Sequence, residues 1–519
     1  MIAPKRTFAE RLSLGEHHLF LALTVIIGVA AGLSAVLFAL GIDLARHFFF
    51  GTQPSALRIV AIPAGVSVVT GLLLAKVFPD VRGSGIPQTE TAFHLHSGVI
   101  PGRVPLGKFI TGVLCVGSGH SMGREGPSVQ IGAGLASFVG QRLRLSPARL
   151  QSLIPVAAAA ALSAAFNTPV AAVIFALEEI IGDTNAPLLG STVVASVSAV
   201  IVERAILGNE PLFHVPVYHL EHPAELLAYA VLGVVGGGVS VAFCRLLLSL
   251  RAVFQRLPEG SRIVQPAIGG LCIGAVLLVS PAIMGVGYDY VDQALNGGLV
   301  LKTLVLLAVL KLLATVISYT SGNAGGIFAP SLFIGAMTGG AVGSVVHTYA
   351  PFATAQPGAY ALVGMGVLFA GIVRAPMTSV FMIFEITQDY QILVPLMIAN
   401  LLSFLISRRY QRLPIYEALL LQDDVHLPRH PTARTRRAVV ARDVMHGDAS
   451  IVERPPAVHV HPDHALDLVI ERMAEVDGPL PVVSRANSRH VEGVITPSAI
   501  SAFLSKRSAR AAGDPPGLE

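Results

Sequence analysis

A chain of 519 residues that is 53% hydrophobic and only 13% charged, with a mean hydropathy of +0.67, is too apolar for a soluble globular protein. The formal net charge of +4 comes from basic residues at the edges of the apolar region, so no nucleic-acid partner is implied. Cys115, Cys244 and Cys272 stand apart in apolar surroundings and are expected as small buried hydrophobes, not as disulfides or metal ligands.

Residues 1–18 are polar and basic, with no apolar segment ahead of a small-residue cleavage site, and are expected to form a cytoplasmic lead-in. Uncharged stretches follow at 19–42, 59–75, 150–177, 184–202, 226–244 and 264–288, and residues 312–373 contain no Asp, Glu, Lys or Arg. Because one helix crosses the hydrocarbon with about 20 residues, that last run alone is expected to hold at least two or three passes. The 51 glycines and 34 prolines would break lipid-facing helices, yet irregular backbone is tolerated where protein or a watery cavity encloses it. Half-length and re-entrant helices are therefore expected within an all-α polytopic membrane domain over 19–407. Lys5, Arg6 and Arg11 precede the first span, and Arg408, Arg409 and Arg412 follow the last, near Ser407, which places both termini in the cytoplasm.

Within this region, residues 118–133, SGHSMGREGPSVQIGA, recur without a gap as residues 321–336, SGNAGGIFAPSLFIGA, at an offset of 203 positions. Asn167-Thr168-Pro169 leading to Leu177-Glu178 is likewise echoed by Arg374-Ala375-Pro376 leading to Phe384-Glu385. A repeat broken by Gly and Pro at matching places points to a transporter's substrate site.

Three Gly-rich pentapeptides precede apolar helices: Gly83-Ser84-Gly85-Ile86-Pro87, Gly123-Arg124-Glu125-Gly126-Pro127 and Gly326-Ile327-Phe328-Ala329-Pro330. Each Pro suits a first helical turn, and each Gly lets the backbone bend toward it. Free N–H groups and the positive end of the helix dipole make such termini anion sites, and three together would hold a halide weakly enough to release it. One alone would be an ordinary helix start. A nucleotide loop does not fit, since residues 117–123 are one too many for GxGxxG and no GxxxxGK[ST] occurs.

Glu125 would compete with an anion for the same N–H donors and swing away on protonation, the alternative being a first-turn partner of Arg124. Glu178 and Glu179 fall at the end of the helix after Pro169, near Gly182, where they meet the negative end of its dipole or are solvated helix-end residues. Ser84 reads as an N-cap or as a donor to the anion, and Tyr416 as an interfacial aromatic or a ligand. His94-x-His96 and His459-x-His461 lack further ligands at metal spacing and read as loop or strand histidines.

After Ser407 the composition changes to an Arg-, His- and Pro-rich linker over 408–441, then to a soluble segment over 442–506 and a tail over 507–519 expected to be disordered. In the segment, Asp443-Val444-Met445, an amphipathic helix over 464–476, Leu480-Pro481-Val482-Val483 and a strand over 491–496 alternate as in a small α/β domain.

GSGIP, GREGP and GIFAP, in this order and with NTP…LEE and a Tyr just past the last span, resemble the signatures of the CLC chloride channel and transporter family over roughly 19–420. The resemblance implies an inverted-repeat helical domain, a homodimer with a pore in each subunit, chloride and protons as substrates, and neither enzymatic activity nor a cofactor. It implies Glu125 as the external gate, Glu179 as the internal proton-transfer residue and Glu178 on the water-side approach to it. Chloride would be bound by Ser84, Tyr416 and the backbone N–H groups around Gly126, Ile327 and Phe328. A carboxylate at 179, where channel members usually lack one, favours a chloride/proton antiporter of a bacterial inner membrane over a passive channel on the same scaffold. Ser84, where nitrate-preferring members carry Pro, favours chloride. Residues 442–506 resemble one CBS motif through DVM, LPVV and GVIT, and since such motifs work as pairs a second subunit would supply the other. Ala499 stands where the nucleotide-binding version carries Asp, which weakens a reading of the chain as a membrane-bound nucleotide sensor.

Overall fold

The computed structural model describes residues 16–183, 188–209, 212–213, 215–216, 218–427, 440–447, 450–451, 457–464, 466–476, 478–485, 487 and 489–503. The expected tail, most of the lead-in and the later part of the linker lie outside the described residues. The chain divides into two compact units, Met1–Pro428 and Arg429–Glu519.

The first unit is helical and built twice. Its first half contains α1 (Glu16–Phe50), α2 (Ala56–Lys76), α3 (Ile86–His94), α4 (Arg103–Gly117), α5 (Glu125–Arg142), α6 (Pro147–Phe166), α7 (Pro169–Phe175, continued by a π-helical turn, Ala176–Ile181) and α8 (Leu189–Leu207). The second contains α9 (Glu225–Gln255), α10 (Gln265–Val279), α11 (Tyr288–Leu295), α12 (Leu301–Thr320), α13 (Phe328–Tyr349), α14 (Pro357–Ile372), α15 (Pro376–Thr387) and α16 (Leu393–Tyr410), followed by α17 (Ile415–Gln422). Among the described residues, eight helices are long and apolar enough to cross a membrane, and α3, α7, α11 and α15 are the half-length pieces that the Gly and Pro breaks predict. The last long helix continues to Tyr410, three residues past the expected end at Ser407. Cys115 and Cys244 are buried as expected, but Cys272 is exposed on the outer surface of α10, where a small apolar residue needs no shelter from lipid.

Small residues bring the long helices together, as they must where lipid removes the hydrophobic drive for association. A Cβ on Gly28 of α1 would lie 2.9 Å from Ala195 Cα of α8, and one on Gly32 would lie 2.8 Å from Ala199 Cα. The second half repeats the device: Gly233 and Gly237 of α9 face Ala399 and Ser403 of α16 at 3.0 and 3.2 Å. Two fully buried lysines, 203 positions apart, tie the turns before α3 and α11. Lys108 Nζ donates to the carbonyls of Val81 (2.8 Å) and Gly83 (2.6 Å), and Lys311 Nζ to those of Ile283 (2.9 Å) and Gly285 (2.6 Å). Each satisfies carbonyls that irregular backbone would otherwise leave bare in the interior.

The second unit contains α18 (Ala441–Val444), β1 (Ser450–Ile451), α19 (Leu466–Met473), β2 (Leu480–Val483) and β3 (His490–Ile495). Its antiparallel sheet has the order β1-β3-β2. Val444, Val460, Val469, Leu480, Val482 and Ile495 form its core. The helix expected over 464–476 and the strand over 491–496 are both present, the helix shorter at each end.

Candidate functional site

The turn before α3 is fixed from both sides. Gly83 and Gly85 have φ of +90° and +110°, a region that side chains avoid. Gln88 reaches back to accept from Gly85 N–H (2.8 Å) and donates to the Arg82 carbonyl (3.1 Å), while Lys108 holds the carbonyls of Val81 and Gly83. Ser84 is left with a fully buried hydroxyl that has no partner among the described residues. It does not cap α3, whose N-cap residue is Gly85. A Cβ on Gly126 would stand 2.7 Å from Ser84 Oγ, so only glycine there lets the start of α5 come this close.

The repeated motifs meet at their glycines. Gly123 N–H donates to the Gly326 carbonyl (2.7 Å) and Gly326 N–H to that of Gly123 (2.8 Å), which places the starts of α5 and α13 back to back in the interior. Glu125 is the first residue of α5 and Phe328 the first of α13; both are buried, as is Ile327. The Phe328 ring is wedged among Phe166, Phe175 and Phe369, with centroids at 5.0, 5.8 and 4.4 Å. This packing fixes the N-terminus of α13 without using a polar group.

Tyr416, on α17, is fully buried, and its hydroxyl also has no partner among the described residues. Its helix packs against α3, and its phenol lies within electrostatic range of Glu179, Glu90, Tyr319 and Glu125. A buried hydroxyl without a partner costs about 1–3 kcal/mol, so each of these two, near a helix N-terminus, is a donor left open to an anion that accepts hydrogen bonds.

Glu125 and Glu179 occupy different surroundings. The Tyr288 hydroxyl donates to Glu125 Oε1 (2.7 Å), while Oε2 rests against Gly123 without a hydrogen-bond donor among the described residues. Next to them a cavity of about 340 Å³ is lined by Asp43, Arg46, Arg124, Tyr288 and Asp289. Glu179 is half-buried on the π-helical turn that ends at Gly182 (φ +76°), within electrostatic range of Glu178 and Glu417; Glu90 senses Glu179 and Glu417 in turn.

Glu178 has a structural bond of its own. Its carboxylate accepts from the N–H groups of Met377 (3.2 Å) and Thr378 (2.8 Å) and from Thr378 Oγ1 (2.8 Å), capping the start of α15. Glu385, at the far end of α15, accepts from Val170 N–H (2.9 Å) and Ala171 N–H (2.7 Å) at the start of α7. The two helices therefore run antiparallel and cap one another. His94 Nε2 pairs with the Ile180 carbonyl (3.0 Å) at the end of the same π-helical turn.

Two residues of this region, Glu90 and Tyr288, are missed by the sequence motifs, and the role of a third, Glu385, is missed as well. Glu90 is a lone acid six positions after Ser84, a visible signal in so apolar a chain. Tyr288 follows Gly285-Val286-Gly287, which repeats Gly83-Ser84-Gly85 at an offset of 202 and marks a fourth helix start. Glu385 was visible only as an echo of Glu178. The partners both acids cap are some 200 positions away.

A family model described as "Voltage gated chloride channel" matches residues 65–408. The chain is 32% identical over 431 residues to the H(+)/Cl(-) exchange transporter ClcA of Vibrio campbellii, covering 80% of this chain and 91% of that protein. Among solved structures it is similar to a slow cyanobacterial Cl-/H+ antiporter, 27% identical with a TM-score of 0.71, over 78% of this chain and 97% of that one. A eukaryotic CLC transporter, 22% identical, shares the fold with a TM-score of 0.66 over 96% of this chain and 90% of that one.

Proposed function

Because the chain belongs to the voltage gated chloride channel family, we propose that this multi-pass membrane protein exchanges chloride for protons. The observation that carries the reading is that the Ser84 and Tyr416 hydroxyls are both buried with no partner among the described residues, Ser84 lying against the start of the helix that bears Glu125. In this reading the hydroxyls and the N–H groups around Gly126, Ile327 and Phe328 bind chloride, each contributing partial positive charge and no full cation, so that the ion is held and released. Ionised Glu125 competes with chloride for the α5 N-terminus; protonated, it gives way and carries a proton into the path. Glu179, at the other end of the path, exchanges that proton with water, and Glu178 keeps the helix that bears it docked on α15.

The likeness to exchange transporters supports coupling over passive conduction. The reading extends to a homodimer in a bacterial inner membrane with both termini cytoplasmic, in keeping with Arg408, Arg409 and Arg412 after the last long helix. The β1-β3-β2 unit is read as a CBS-like half that a second subunit completes.

Reconstitution into liposomes tests the exchange. A chloride gradient imposed across the membrane should drive protons uphill, and Glu125→Ala should abolish that movement and flatten the pH dependence of chloride flux. Chloride flux without uphill proton movement in the unmodified protein would leave a passive chloride channel.

A further inference from the structure

We propose that Tyr288 is the outer latch of the Glu125 gate: its phenol hydroxyl holds the carboxylate in place and must release it before Glu125 can swing into the adjoining cavity. The inference rests on the reading of Glu125 as a gate and adds a residue to it.

Four observations support the assignment. The hydroxyl donates to Glu125 Oε1 at 2.7 Å, and Oε2 has no donor among the described residues, so this is the one side-chain hydrogen bond the carboxylate accepts there. The ring is held in place: the Arg124 guanidinium stands 5.7 Å from its centroid and Phe213 meets it edge-on at 5.2 Å and 83°. The backbone is held too. Gly287 caps α11 at φ +81°, where a Cβ would strike the Phe333 ring at 2.7 Å, and Lys311 grips the carbonyls of Ile283 and Gly285 just upstream. Finally, Tyr288 and Arg124, the two residues in contact with the gate, both line the 340 Å³ cavity, so open space adjoins the residue that holds the carboxylate.

The repeat explains why the latch exists in one half only. Gly83-Ser84-Gly85-Ile86 and Gly285-Val286-Gly287-Tyr288 are equivalent turns, each clamped by its own lysine. In the first the Ser84 hydroxyl has no partner among the described residues. In the second Val286 removes that hydroxyl, and Tyr288 extends a different one across to Glu125. A helix start that could have bound an anion has become the anchor for a side chain that imitates one.

A phenol O–H donated to a carboxylate is charge-assisted and weakens when the acceptor gains a proton. The latch therefore grips the ionised gate and eases on the protonated one. The charged or titratable groups facing the pair are Arg124 beside Glu125, Asp43 and Arg46 from α1, Asp289 from α11, Lys311 from α12 and Tyr416 from α17. All remain in place in Tyr288→Phe, which removes only the hydroxyl.

The test is chloride efflux from liposomes across a pH series for the unmodified protein, Y288F, E125A and the double variant. Y288F should conduct more at neutral and alkaline pH, with its half-activation displaced by about one pH unit toward alkaline, a roughly tenfold change in gating. In the E125A background the same substitution should change nothing. A Y288F profile identical to the unmodified one, or an equal change with and without Glu125, would overturn the latch. An E125A protein that keeps the original pH dependence would instead overturn the gate, and the latch with it. Incorporation of 3-fluorotyrosine at 288 keeps the shape and strengthens the donor. It should move the profile toward acid, and a displacement in the same direction as Y288F would also reject the proposal.

Discussion

Gly123 and Gly126 flank the gate, and the space each leaves open has a different occupant. A side chain on Gly123 would be built where Glu125 Oε2 lies, with Ala329 Cβ at 3.1 Å. One on Gly126 would drive into Ser84, 2.6 Å from its carbonyl oxygen and 2.7 Å from its hydroxyl. The far end of a glutamate can move aside; backbone cannot. Gly123→Ala should therefore fold, at a cost of about 1–3 kcal/mol from overpacking, and displace the gate, so that chloride flux loses part of its pH dependence. Gly126→Ala should separate α3 from α5 and lower chloride binding at least tenfold by calorimetry on purified protein. Equal effects of the two on binding would show that the site does not lie between Ser84 and the start of α5. That both residues are glycines flanking a helix start is plain from GREGP. What each one makes room for is not, because Ser84 and Ala329 come from other parts of the chain.

At the scale of helices, the reciprocal caps do what neither half could do alone. α7 is only seven residues before its π-helical turn, too short to be stable by itself, and Glu385 satisfies two of its free N–H groups. Removing a cap costs about 0.5–2 kcal/mol, and here the helix that loses it also carries Glu179. Glu385→Ala should lower the melting temperature and let the end of α7 wander, so that fewer protons move per chloride, although Glu385 lies at the opposite end of the α7–α15 pair from Glu179. Glu385→Gln keeps one acceptor and should fall between. Unchanged stoichiometry in a visibly destabilised Glu385→Ala protein would confine the cap to stability. The matching NTP…LE and RAP…FE patterns expose the duplication in the sequence, but not the exchange of caps, since pattern gives an acid's place on its own helix and never the helix opposite. The Gly28/Gly32 and Gly233/Gly237 pairs are similar: their spacing is visible in the sequence, whereas Ala195, Ala199, Ala399 and Ser403 become their partners only once the helices are packed.

Across the whole membrane unit, a symmetric frame carries an asymmetric content. Gly123 with Gly326, Lys108 with Lys311 and Glu178 with Glu385 are matched pairs with matched bonds, and they hold the frame. The differences fall at the centre: Glu125 against Phe328, Ser84 against Val286, Tyr288 against Ile86. Glu179 against Ile386 adds one more, at the end of α7. Each substitution puts a polar or protonatable group in one half where the other has an apolar one, so the two directions through the protein are chemically unequal. If exchange depends on that inequality, removing the inner acid should separate the two fluxes. Glu179→Gln keeps the shape of the turn and the caps on α7 and α15, and leaves Ser84, Tyr416 and Glu125 untouched. Chloride should still cross it at a rate within a few-fold of the unmodified protein, while uphill proton movement in a chloride gradient falls to background. Intact proton coupling in Glu179→Gln would move the inner proton site to another acid, and Glu90, buried and within electrostatic range of Glu179, is the first to substitute next.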